Sequence, residues 1–199
     1  MKHASSRDLY KYWNERRGTR PAPERGDIEP GAIRTVLGDS FIVAYESQSG
    51  HPFRLAGTRV CALFGRELKA QPFVQVWDKN SRSAVQDLLA VVADEGVGLV
   101  AGATGEVADG SKVELELLLL PLRHRGRADA RMIGVLAPLD PPVWLGTSPL
   151  VSLKLGSLRH VGPAVETIAA PRFMGIPFLA ARGGGRRHGK LMVYDGGVQ

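Results

Sequence analysis

The stretch Phe53-Arg54-Leu55-Ala56-Gly57-Thr58-Arg59-Val60-Cys61-Ala62-Leu63-Phe64-Gly65-Arg66-Glu67-Leu68 changes periodicity in its middle. Residues 53–57 read as a strand. From Thr58 onward, Val60, Leu63 and Phe64 fall at helical spacing, and Gly65 ends the turn. Towards the N-terminus, residues 39–45 read as a partner strand with Phe41, Val43 and Tyr45 on one side, and the polar run 46–52 is the tip of a hairpin. Residues 27–38 read as a short helix with Pro30 in its first turn and Ile33, Val36 and Leu37 as its apolar face. Residues 20–26 hold two prolines and make a linker. In front of it, Leu9, Tyr12, Trp13 and Arg16 recur at helical spacing behind a Ser5/Asp8 start signal, with Gly18 as the stop.

Towards the C-terminus, Trp77 closes a loop and Asp78 can cap a helix that runs to Glu95, with Val85, Leu88, Leu89 and Val92 as its buried stripe. Three strands follow, at 97–107, 112–122 and 131–138. Asp109-Gly110 forms a two-residue turn between the first two, and a basic loop around Gly126 separates the last two. The middle strand puts Val113, Leu115, Leu117 and Leu119 on one face. Its other face passes from Glu114 and Glu116 to Leu118 and Leu120, so its far end needs cover from another element. Beyond Pro141 the pattern weakens: Leu150-Val151-Ser152-Leu153 is a short apolar stretch, and Leu191-Met192-Val193-Tyr194 could make a small strand.

A helix, a β-hairpin, short helices, a long helix and a three-stranded meander imply an α+β layer structure. Its centre is a five-stranded antiparallel sheet with helices on one face, plus an N-terminal helix and an irregular C-terminal extension. The hairpin and the meander must share one sheet, because neither alone buries enough apolar surface. The expected organisation is residues 1–26 as N-terminal helix and linker, 27–140 as the domain, and 141–199 as a basic, Gly/Pro-rich extension. The net charge is +6, and both flanks are basic around a mildly acidic middle. No apolar run reaches the roughly 18–20 residues of a membrane span, the first residues are polar, and one cysteine excludes an intramolecular disulfide. A cytoplasmic protein is expected.

The quoted segment 53–68 closely resembles the second strand and following helix of PAS domains, where a glycine before the helix and a Phe-Gly after it recur. The 27–38 segment, the Trp77 loop and Leu118-Leu119-Leu120-Pro121-Leu122 resemble a stand-alone PAS-protein family of alphaproteobacteria. The likeness covers about residues 7–140, and the ending Gly189-Lys190-Leu191-Met192-Val193-Tyr194-Asp195-Gly196-Gly197 is similar to that family as well. The resemblance implies sensing or protein–protein signalling rather than turnover. It also implies contact with histidine-kinase pathway components, and either a ligand held between sheet and helices or dimerisation through the outer sheet face and N-terminal helix.

Chemistry-bearing patterns are sparse. The five histidines (His3, His51, His124, His160 and His188) are scattered, with no metal-ligand spacing. Neither a nucleophile elbow nor a phosphate loop occurs, so no catalytic residue is assigned, and Glu114 and Glu116 read as a solvated face. The helix of residues 78–95 has no histidine, which disfavours the haem mode of PAS domains. Cys61 between Val60 and Ala62 lacks the flavin-photosensor context and reads as a small apolar residue. A ligand pocket, if one exists, would be lined by Phe41, Val43, Leu55, Cys61, Phe64, Trp77, Leu88 and Leu117, with the Trp77 indole N–H as polar anchor. Leu9, Tyr12 and Trp13 are the candidate interface with a partner or a second copy. Arg182, Arg186, Arg187 and Lys190 are the candidate contacts for a polyanion. With few aromatic groups beside them, nucleic acid is the disfavoured alternative. No effector domain is recognisable, so output is expected to pass through another protein.

Overall fold

The computed structural model describes residues 1–124, 127–161, 185–188 and 191–195. The expected hairpin forms from β1 (Ser40–Ala44) and β2 (Phe53–Ala56). The expected meander forms from β3 (Gly98–Val107), β4 (Lys112–His124) and β5 (Arg127–Pro138). Strand β1 pairs antiparallel with β5 from Ser40–Val135 to Ala44–Arg131, which joins hairpin and meander in one sheet. A further strand, β6 (Leu150–Val161), runs antiparallel along β3. Strand β8 (Leu191–Asp195) lies parallel to β6, and β7 (Gly185–His188) pairs with β8. Among the described residues the strand order is β2-β1-β5-β4-β3-β6-β8-β7. The described residues of the extension beyond 141, expected to be irregular, therefore extend the sheet. It is also tied to the helical layer: Asp78 N–H donates to the Leu153 carbonyl at 2.8 Å, and Leu155 N–H to the Ser81 hydroxyl at 3.0 Å.

The sheet is apolar on both faces, and each face is covered. On the inner face, α2 (Thr58–Phe64) and α3 (Arg82–Glu95) enclose a core with Phe41, Val43, Leu99, Leu115, Leu117 and Leu119. The α3 stripe Val85, Leu88, Leu89 and Val92 is buried there, as its spacing requires. On the outer face, α1 (Ala4–Arg17) lays Leu9 and Trp13 over Leu118, Leu120, Ile133 and Val135. The helices thus do not all lie on one side. The cover expected over Leu118 and Leu120 is the chain's own first helix. At the start of α2, a Cβ on Gly57 would stand 2.1 Å from the Leu37 carbonyl oxygen. Only glycine permits that approach, which explains the strand-to-helix break that opens the fold.

Several local expectations change. The segment 27–38 makes no α-helix; it is a chain of tight turns at Arg25–Asp27, Pro30–Ile33 and Leu37–Asp39. Glycines at 31 and 38 and a proline at 30 leave too little uninterrupted chain for an α-helical nucleus. Ile33 and Val36 are buried nonetheless, against the outer face. The β3–β4 turn is one residue longer than expected: Val107 N–H reaches the Ser111 carbonyl, and Gly110 has φ +85°. Strands β4 and β5 consume most of the expected basic loop. The long helix begins at Arg82, because Asp78 caps a preceding turn through Ser81 N–H at 2.8 Å. The first helix starts at Ala4 with His3 as its cap, and Ser5 faces inward.

His51 closes the hairpin tip. It is 3% exposed, holds φ +60°, and its Nδ1 accepts the Glu46 N–H at 3.2 Å. Burial depresses its pKa, against the opposing influence of the Ala44 backbone and the Glu46 charge. The neutral ring belongs to the fold. Its contribution is therefore complete above the ordinary value of 6.5 and is lost as pH falls through the depressed folded value. His51→Asn keeps an acceptor and tolerates positive φ. It should flatten the fall in stability between about pH 7 and pH 5, read as urea midpoints, and an unchanged pH profile would assign that fall to other groups.

Candidate functional site

The inner core begins with its aromatic rings. Phe41, Phe53 and Phe73 meet pairwise at centroid distances of 5.4–5.7 Å, and Trp77 joins Phe73 at 5.9 Å. Val43, Phe64, Leu88 and Leu117 are buried around them. Six of the eight expected pocket residues therefore converge between sheet and helices. Their side chains pack against one another there.

The other two sit differently. Leu55 is 41% exposed. A bulge places Val43 opposite Phe53 and Ile42 opposite Leu55, so Arg54 is extra and the alternation inverts. Phe53 points in and Leu55 points out. Cys61 is half-buried at the edge of the core. Its thiol approaches the Glu67 carboxylate at 3.5 Å and the Ala56 carbonyl at 3.9 Å. Burial first, then the Glu67 charge, raises its pKa, so it is a poor thiolate. The Trp77 ring is 1% exposed, and its Nε1–H has no hydrogen-bond partner among the described residues.

A second functional region lies on the outer face, where two carboxylates hold the start of α1. Glu116, expected on a solvated face, is only 4% exposed. It accepts the backbone N–H groups of Lys2 at 2.6 Å and His3 at 3.0 Å. Asp39, 5% exposed, accepts the Ser5 hydroxyl at 2.6 Å. The Arg59 Nε at 2.6 Å and Nη2 at 2.9 Å complete its shell. Burial pushes both carboxyls up, but their donors prevail and hold each below the usual range. Both face the positive end of the helix dipole. Further along α1, the Trp13 indole donates to the Pro121 carbonyl at 2.8 Å. Leu9 and Trp13, expected at an interface, are thus spent on the chain's own sheet, at 0% and 1% exposure. Tyr12 is half-buried; its hydroxyl accepts the Glu29 N–H at 2.9 Å and donates to the Asp27 carbonyl at 3.2 Å. Of the basic quartet, Arg186 and Arg187 stand on β7, and Arg182 and Lys190 lie outside the described residues.

A family model described as PAS domain matches residues 1–137. The chain belongs to the PAS domain family. The match includes α1. PAS domains are in general sensory modules rather than catalysts. Similar solved structures include a light-oxygen-voltage domain studied with a flavin analogue, at 17% identity and TM-score 0.45, with 55% of this chain and 83% of that chain covered. A light-oxygen-voltage protein of Rhodobacter sphaeroides matches at 15% identity and TM-score 0.42, over 52% of this chain and 60% of that one. The PAS domain of an HTR-like protein from Haloarcula marismortui matches at 18% and 0.40, over 54% and 89%. No curated protein matches the chain. Among the described residues no helix is long and apolar enough to cross a membrane, and no group of three or more His, Cys, Asp or Glu residues gathers.

Sequence reading passed over Asp39 and Arg59 and placed Glu116 on a solvated face. The usable signal was at Glu116: the next two residues on its strand face are Leu118 and Leu120, so a cover was required directly beside it. Glu116→Gln should loosen α1 by about 1–3 kcal/mol, since an amide cannot accept both N–H groups without turning its own donor towards one. The check is hydrogen exchange: α1 amides should exchange about tenfold faster or more while α3 amides keep their rates, and equal protection in both proteins would remove the latch. Trp77→Phe should be tolerated to within about 1 kcal/mol in denaturant unfolding, because losing an unpartnered donor offsets lost packing. A loss of about 3 kcal/mol or more, the size of a full ring truncation, would mean that the indole N–H has a partner in solution.

Proposed function

We propose that this PAS protein is a non-catalytic regulator that acts by contact with signalling proteins, and that α1 with the sheet face beneath it is the part a partner reads. The observation that carries the reading is the construction of that face. Val100, Leu118, Leu120, Ile133 and Val135 form a continuous apolar surface. One fourteen-residue helix covers most of it, held at its start by hydrogen bonds to two carboxylates. A helix of that length has little stability of its own, so its position depends on docking. Such an element has two states of small free-energy difference, which is what a regulatory contact can bias. The resemblance to stand-alone alphaproteobacterial PAS proteins points to histidine-kinase pathway components as partners and to the cytoplasm as the compartment.

A core ligand remains compatible with this reading. The unpartnered Trp77 N–H would meet a hydrogen-bond acceptor. Flavin is disfavoured, because Cys61 lacks the flavin-photosensor sequence context and sits at the edge of the core with a raised pKa. Haem is disfavoured because the residues of α3 include no histidine.

The test compares the full chain with a double variant, Trp13→Ala plus Glu116→Gln, for binding to histidine kinases and phosphotransfer proteins of the same genome. Release of α1 should change affinity for at least one of them by about tenfold or more. The same affinities in both forms, or no binding by either, would end the reading.

A further inference from the structure

A cleft of about 410 Å³ opens beside the latch, between α2 and the connection from β5 to β6. It is separate from the aromatic core. Its floor is apolar, formed by Leu63 of α2, Leu136 and Pro138 at the end of β5, and Leu139 and Leu145 of the connection. Its rim is polar and consists of His3, Asp39 and Arg59. That volume lies towards the lower end of small-molecule sites, which run from about 300 to 1,000 Å³ and combine an apolar lining with a few convergent polar groups.

The unspent donors at the rim belong to Arg59 and His3. Asp39 already accepts three donors, one from Ser5 and two from Arg59. Arg59 spends Nε and Nη2 on Asp39 and on the Thr35 carbonyl, and its Nη1 has no partner among the described residues. Its side chain is 59% exposed. His3 Nδ1 accepts the Ser5 N–H at 3.1 Å, which places the proton of the neutral ring on Nε2. The rim therefore offers two donor groups, one of them on a permanent cation, above a hydrophobic floor. An amphiphile with an acceptor head fits that arrangement. A cationic head would face Arg59, and a purely apolar molecule would leave the donors unused.

We propose that this cleft binds a small amphiphilic carboxylate, its head on Arg59 Nη1 and His3 Nε2 and its apolar body on Leu63, Leu136 and Leu145. Arg59 recognises the head without giving up Asp39, because the guanidinium has a free edge. The proposal does not rest on the regulatory reading, since binding needs no partner protein.

The experiment uses the full chain and three probes of equal length: octanoate, octanol and octylamine. Calorimetry measures affinity and amide NMR locates the site. Octanoate should bind most tightly and octylamine least, with shifts centred on Ala62, Leu63, Leu139 and Gly146. Arg59→Gln should weaken octanoate by about tenfold or more, the worth of a charge-assisted hydrogen bond, and leave octanol unchanged. Ala62→Trp fills the cleft from an exposed helix position and leaves the Arg59–Asp39 pair in place. It should abolish binding of octanoate and octanol alike. Equal affinity for octanoate and octanol, full octanoate affinity in either variant, or shifts centred on Phe73 and Trp77 would each overturn the proposal.

Discussion

The pairing of β1 with β5 is the constraint from which the rest follows. It sets Phe41 opposite Gly134, and a Cβ at 134 would stand 2.4 Å from both the Phe41 ring and the Leu118 carbonyl oxygen. The bare backbone at 134 lets the ring lie flat across the strand and reach Phe53 and Phe73. Hairpin and meander then become neighbours in one sheet, with the inner rows of both under the same helices. Because β4 and β5 carry apolar residues on both sides, the same pairing creates an outer hydrophobic face that water would otherwise meet. Something must cover it, and α1 does so.

That cover explains the two buried carboxylates. A charged group under a helix is costly unless donors surround it. The start of a helix supplies free N–H groups and a positive field at no further expense. Glu116 takes the N–H groups of Lys2 and His3, while Asp39 is satisfied directly by the Ser5 hydroxyl and by Nε and Nη2 of Arg59. The result fixes where α1 begins, and Trp13 with the Pro121 carbonyl fixes where it ends up. The burial is conditional, however. If α1 leaves, both carboxylates regain water and lose little, so the polar end opens more readily than an apolar seam of equal area would.

How much of this was legible depended on whether the chain obeys its simple periods. The break at Gly57, the α3 stripe and the alternation of β4 are regular, and they were enough to order five strands and place six core residues. Where a bulge intervenes, the code fails. Arg54 is inserted opposite β1, so Leu55 reads as inward and points out. In β6 the buried residues are Leu150, Leu153 and Leu158, which keep neither a strand period nor a helix period. The reason is two register shifts against β3, near Gly102 and Glu106, together with a glycine at 156 whose added Cβ would stand 3.0 Å from the Gly102 carbonyl oxygen. Such a strand is recognisable only once its partner is known. The latch was hidden for another reason: Asp39, Glu116 and the first residues of α1 are far apart in sequence, and a lone carboxylate on a strand looks solvated until the helix above it is seen.

The cleft and the latch share residues, and this links them physically. His3 caps α1 and stands on the cleft rim; Asp39 binds Ser5 of α1 and Arg59 of α2 at once. An anion on the rim would touch the helix cap and the guanidinium together, and so bridge α1 to α2. Its binding energy would add to docking, because an undocked α1 takes His3 away from the site. By reciprocity, whatever pulls α1 off the sheet must weaken the anion by the same factor. A partner that competes for the outer face and a ligand that occupies the cleft would therefore oppose each other without meeting, through one short helix and the carboxylate beneath its first turn.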